Sequence, residues 1–198
     1  MKDYRFWWSQ AMTCDAYKEL FESLIDQNKT TGADQSEEMV AYTKLNWHRM
    51  KRVEKTFKID IQLHDLLIHF NTKPFKILLI SEPWCGDASQ SVPVIAELAR
   101  LYPQKIDLKI ILRDSDTELI DQFLTNKGRA IPKVLFLDQD LNFLQHWGPR
   151  PNAAQSQVLE MKAQDVSHDE MVEKLMIWYA KDKSQSIQNE LKQVIKTF

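Results

Sequence analysis

Glycine is scarce in this sequence, with four in 198 residues. Glycine serves turns and strained backbone positions, so its scarcity predicts a chain that is largely helical or in simple loops. Cysteine is scarcer still. Cys14 and Cys85 are the two thiols, far apart in sequence. They build no disulfide framework, and the reading is a reducing compartment. No stretch approaches the roughly 18 apolar residues of a membrane-spanning helix. The opening MKDYRFWWSQAM has neither a long apolar run nor a small-residue cleavage site, so it does not read as a secretion signal. The expectation is a cytoplasmic protein that engages no membrane. An excess of one charge is missing too, since 26 Lys and Arg face 28 Asp and Glu. A general nucleic-acid binder needs a basic surface, so nucleic acid is not expected as a partner.

The hydrophobic share of 43% and charged share of 27% are ordinary for a globular protein. The length suits one domain, or one domain with an extension. There is no internal repeat and no low-complexity tract.

Apolar residues Tyr17, Leu20, Phe21, Leu24 and Ile25 recur at helical spacing, which predicts a helix over 14–27 with Thr13 as its N-cap. Ser36-Glu37-Glu38 opens a second helix that runs to about Phe57. A third covers Ile61 to Phe70 and ends at the turn Asn71-Thr72-Lys73-Pro74. The pattern then changes. Lys76 to Ser81 is a short, continuous apolar run, as in a strand covered on both faces. Helical period returns over 85–101, β-rich residues fill Ile106 to Leu112, and a helix is expected over 116–127. Strands follow at Lys133 to Asp138 and Asn142 to Trp147, joined by a tight turn at Asp138-Gln139-Asp140. Two β-helix-β units and a hairpin make a mixed sheet. Beyond Pro151 the chain is helical again, weakly over 157–164 and as one long helix over 169–196. The expected division is a helical N-terminal extension over 1–72, a sheet-containing core over 73–150, and C-terminal helices over 151–198 that pack on the core.

The chemistry concentrates where the first strand passes through Ser81-Glu82-Pro83 into Trp84-Cys85-Gly86-Asp87-Ala88 and a helix begins. Cys85 there stands at a helix N-terminus. Free backbone N–H groups near Asp87 and Ala88 would bond its sulfur, and the helix dipole would favour an anion. Both effects lower a thiol pKa, whereas the charge of Asp87 raises it. The expectation is a partly exposed thiol that titrates below about 8.5, the ordinary cysteine value.

A second element, Gly128-Arg129-Ala130-Ile131-Pro132, precedes the third strand. With both elements in hand, residues 74–150 resemble the thioredoxin family. Trp84 and Cys85 match its active-site loop, and Ile131-Pro132 matches its cis-proline dipeptide at close to the family's spacing. The flanking helices fit a subgroup whose loop reads Trp-Cys-Gly-Asp. The resemblance implies an α/β, thioredoxin-like mixed sheet flanked by helices. It also implies a cis Ile131–Pro132 bond against Cys85 and a groove where the backbone before Pro132 meets an extended substrate segment.

Two departures qualify that resemblance. Ala88 stands where the family has its second cysteine, and alanine cannot resolve a mixed disulfide. Leu79 stands where the family often has a buried carboxylate that deprotonates that second thiol. Ser89 could hydrogen-bond a sulfur but cannot resolve a disulfide.

The leading reading is a monothiol redox protein with Cys85 as nucleophile, a possible thiol-disulfide oxidoreductase without a resolving cysteine. Its partners would be a protein disulfide or mixed disulfide, or a low-molecular-weight thiol. Two alternatives stand beside it: a redox-inert binding module that uses the cis-proline groove, and an oxidant sensor in which Cys85 becomes a sulfenic acid. Cys14 reads as a half-buried helix cysteine, with a distant resolving thiol as its alternative. The basic run His48, Arg49, Lys51, Arg52, Lys55 and Lys58 reads as a solvated helix face. His64 and His69 lack a companion ligand cluster, so no metal is expected, and no cofactor. Trp147-Gly148-Pro149-Arg150-Pro151 reads as a strand end and loop.

Overall fold

The computed structural model describes residues 2–69 and 73–198. Four strands make one mixed sheet in the order β2-β1-β3-β4. They are β1 (Phe75–Ser81), β2 (Ile106–Leu112), β3 (Lys133–Leu137) and β4 (Phe143–Trp147). β1 and β2 are parallel and are joined through helix α5 (Ala88–Leu101). β3 runs antiparallel to both β1 and β4. Central strands lose water on both faces, which is why β1 reads Phe-Lys-Ile-Leu-Leu-Ile-Ser with all but Lys76 buried.

Helical extensions flank this sheet at both ends. Before it come α1 (Tyr4–Gln10), α2 (Cys14–Asp26), α3 (Glu37–Thr56) and α4 (Ile61–His69). α6 (Thr117–Ile120) lies between β2 and β3. After the sheet come α7 (Asn152–Ala163), α8 (His168–Asp182) and α9 (Gln185–Ile195). Side-chain caps fix several starts: Thr13 accepts from Ala16 N, Ser36 from Met39 N and Ser167 from Glu170 N. The two extensions meet each other. Buried Gln188 of α9 accepts from Asp60 N at 2.7 Å and donates to Lys58 O at 3.1 Å. On the far edge of the sheet, Met12 and Ile110 exchange backbone hydrogen bonds of 2.8 Å, covering part of a strand edge that would otherwise be open.

Several local expectations are corrected. Residues 169–196 are two helices, because Lys183 (φ 52) and Ser184 (φ 64) are both left-handed and turn the chain. No glycine marks that break. α9 consequently folds back onto β4, α4 and α5. The helix expected over 116–127 shrinks to α6 and a 3-10 turn, Asp121–Phe123, with Asn126 and Lys127 at positive φ beyond it. α7 begins at Asn152, earlier than its apolar pattern indicates, and α1 carried no recognised signal. The turn expected at 71–74 falls partly outside the described residues. Among the described residues, no helix is long and apolar enough to cross a membrane, and no group of three or more potential ligands gathers for a metal.

Candidate functional site at the Trp84–Asp87 loop

β1 delivers the chain to Glu82, and a turn bonded from Cys85 N to Glu82 O (3.1 Å) aims it into α5. The helix starts at Ala88, three residues later than the sequence pattern suggests. Asp87 occupies the N-cap position, yet its side chain makes no capping bond. It turns away instead. Oδ2 accepts from Arg150 Nε and Nη2 at 3.0 and 2.5 Å, and Oδ1 accepts from the Tyr179 hydroxyl at 2.7 Å. A buried carboxylate is costly without partners, and here the β4–α7 loop and α8 supply them. The cluster ties the β4–α7 loop and α8 to the Trp84–Asp87 loop.

Cys85 is 8% exposed, so the expected partial exposure is corrected to burial. Its thiol donates to the Ile131 carbonyl at 3.3 Å, and the Ile131–Pro132 bond is cis. The loop and the proline dipeptide are therefore in contact. The pKa expectation is reversed. Burial pushes the Cys85 thiol up to about 12, and the charge of Asp87 adds to this. The amides of Ala88 and Asp87 and the cation of Arg150 pull the other way without overcoming it. The helix N-terminus acts as expected, but desolvation is the larger effect. Cys14 is also a free thiol, half-buried, with burial raising its pKa to about 11.

Around this loop, Ala88 is 2% exposed and Leu79 is fully buried. Ser89 Oγ donates to Gly86 O at 2.6 Å, so its hydroxyl is engaged with the backbone and not with the sulfur. Trp84 is half-buried, and the Arg113 guanidinium lies over its ring at 4.7 Å from the centroid. Glu82 is buried, accepting from the Thr31 hydroxyl and from Asp114 N, and burial raises its pKa. Ile131 and Pro132 are buried as well, so the dipeptide forms the underside of the site rather than an open groove. The chain leaves little room there: Gly148, at φ +108, approaches so closely that a Cβ on it would sit 2.3 Å from Pro132 O.

A pocket of about 380 Å³ opens above the loop. Trp84, Cys85, Gly86 and Asp87 form its floor, α3 provides Met39, Tyr42 and Arg49, and Arg150, α7 and α8 provide the remaining wall. Sequence reasoning located the floor and missed the wall. Arg49 belonged to a run read as solvated, Arg150 to a loop, and α8 showed only an apolar stripe. In the sequence Asp87 looked like an ordinary N-cap, so nothing there signalled its pairing with Arg150 and Tyr179.

The thioredoxin family model matches residues 32–167, and the chain belongs to that family. Two solved structures resemble it in fold. One is a protein of unknown function from Pseudomonas aeruginosa, 20% identical, with a TM-score of 0.66 over 99% of this chain and 98% of that one. The other is an HIV epitope-scaffold, 20% identical, with a TM-score of 0.56 over 88% of this chain and 96% of that one. No curated protein matches the chain.

Proposed function

We propose that the protein is a monothiol thiol-disulfide exchanger with Cys85 as its nucleophile. The supporting observation is that Cys85 reaches a pocket from a helix N-terminus, with buried Ala88 in the position of a second thiol. The Cys85 thiolate attacks one sulfur of a partner disulfide. A bond forms from Cys85 to that sulfur, and the other partner sulfur departs as a thiolate with the electron pair of the broken bond. The proton of Cys85 goes to water. With Ala88 in place of a second thiol in the loop, an external thiol attacks the adduct and returns Cys85 to the reduced form. A thiol of raised pKa is a poor leaving group, so this release is slow and the adduct is long-lived.

Intact-mass analysis tests the reading. Reduced protein incubated with a small disulfide is expected to gain one half-disulfide at Cys85, to keep it through desalting, and to lose it to added thiol. Cys85→Ser should gain nothing at that site. Rapid dithiol-type turnover by the wild type would refute the reading.

The elevated pKa and burial of Cys85 favour a second reading, a redox-inert binding module that uses the same pocket. In that case ligand binding survives Cys85→Ser and no adduct forms.

A further inference from the structure

The walls of the pocket carry information about what enters. Arg49 is half-buried, and among the described residues it donates to a neutral group, Asn46 Oδ1, at 2.8 Å. Among the described residues it has no carboxylate partner, whereas Arg150, on the same pocket, pairs with Asp87 through Nε and Nη2 and donates to Gln155 through Nη1. A Cβ placed on Gly86 would lie 3.8 Å from Arg49 Nη1 and 3.6 Å from Met176 Cε. The guanidinium therefore hangs over the residue that follows Cys85. Buried Asn46 holds it there and also donates to Pro83 O at 3.1 Å, fixing α3 to the loop. The α8 side of the pocket is mainly apolar, with Met171, Val172, Leu175 and Met176 after His168 at the start of the helix. At the rim stands Lys162, exposed and without an ion pair among the described residues. A half-desolvated cation without a counter-ion, close to an apolar wall, is suited to an anionic group on a molecule with an apolar body.

Size and access narrow the choice further. The pocket volume of about 380 Å³ suits a small molecule. An extended protein segment would need the backbone beside Pro132, yet Ile131 O already accepts from Cys85 and both residues are buried. Tyr179 of α8 covers the loop where it bonds Asp87. The approach to the sulfur left by these contacts is the pocket itself.

Resting on the monothiol reading, we infer that the substrate is a small disulfide bearing a carboxylate. Arg49 takes the carboxylate, the α8 wall takes the apolar part, and disulfides of folded proteins are shut out. Cys85 attacks the disulfide as described above and displaces one half as a free thiolate.

Two small aromatic disulfides test this on a Cys14→Ser background. Dithiobis(nitrobenzoate) carries two carboxylates, and dithiodipyridine carries none. Each releases a coloured thiol as Cys85 is modified, so the ratio of their second-order rate constants can be read at low salt. Any change in the thiolate fraction of Cys85 moves both rates together, and the ratio isolates the anion site. Arg49→Gln is expected to lower the ratio of charged to neutral reagent about tenfold, and Arg49→Lys to restore most of it. Insulin disulfides should not modify Cys85. If both reagents modify Cys85 and the ratio ignores Arg49→Gln, the carboxylate assignment is wrong while the monothiol reading stands. If insulin competes with the small reagents, the size limit is wrong. If neither reagent modifies Cys85 in the native protein, the monothiol reading falls and the inference falls with it.

Discussion

Arg150 directs two nitrogens, Nε and Nη2, at a single oxygen of Asp87, at 3.0 and 2.5 Å. The arrangement fixes a negative charge two residues from Cys85 in a place where water does not screen it. In this molecule the residue following the Trp-Cys-Gly triplet is an electrostatic anchor. Its carboxylate opposes ionisation of the thiol and also fastens α8 over the loop.

Asp87→Asn removes the charge that adds to the raised thiol pKa. Alkylation of Cys85 by iodoacetamide near pH 8.5 is expected to speed up severalfold. The variant should also lose up to about 3 kcal/mol of stability, because Arg150 is left largely buried without its counter-ion. Labelling rates over a pH series, with urea melts of the same samples, measure both effects. An alkylation rate equal to that of the wild type would show that Asp87 does not act on the sulfur.

The thiol of Cys85 also links stability to pH. Its folded pKa of about 12 lies above the ordinary value of about 8.5, so the folded state keeps a proton that the unfolded chain releases. The resulting stability is fully present below about pH 8.5 and is lost as pH rises toward 12. Wild type minus Cys85→Ala stability, followed by urea unfolding from about pH 8 to about pH 10.5, should therefore decline steadily. A flat difference would mean that the thiol is solvated.

Lys133 predicts the opposite slope. It is 2% exposed, and its ammonium donates to Thr125 Oγ1 at 2.9 Å and Gly148 O at 3.0 Å, with no carboxylate partner among the described residues. Burial lowers its pKa to about 8, against about 10.4 in the unfolded chain. The unfolded state then holds the extra proton, and stability rises with pH between those two values. Lys133→Met should abolish that rise, which differential thermal melts at about pH 8 and about pH 10 would record. A variant with the same pH slope as the wild type would exclude Lys133 as its source.

Ala88→Cys places a second thiol on the first turn of α5, within reach of Cys85. Mild oxidation should join the pair, seen by mass spectrometry as the loss of two hydrogens. Reductase turnover on a small disulfide should then appear, but weakly. Buried Leu79 offers no carboxylate to deprotonate the new thiol. Strong turnover would mean that some other group serves as the base.

Legibility in the sequence followed the range of the interactions. β1 was readable because a strand covered on both faces must be apolar along its length, and α2 because its apolar spacing and Thr13 cap agree. The Trp84–Asp87 loop and Ile131-Pro132 were readable because each is a contiguous string of residues. Arg49 and Arg150 were not. A lone arginine looks solvated until the fold shows what lies beside it: the carboxylate that Arg150 pairs with is 63 positions away, and Arg49 comes to lie beside Gly86 of the loop. The α8–α9 break was hidden because Lys183 and Ser184 take a left-handed backbone without glycine or asparagine. Desolvation of Cys85 has no sequence signature, since it comes from burial under the C-terminal helices.

The pocket's walls contain three methionines, Met39, Met171 and Met176. Unbranched thioether chains swing between rotamers at little cost and mould themselves to whatever lies beside them. Such a lining is tolerant of molecular outline. If the proposed carboxylate site holds, compounds with quite different skeletons would be accommodated alike provided that they share an ionic end, and a screen that ranks candidates by shape alone would miss them.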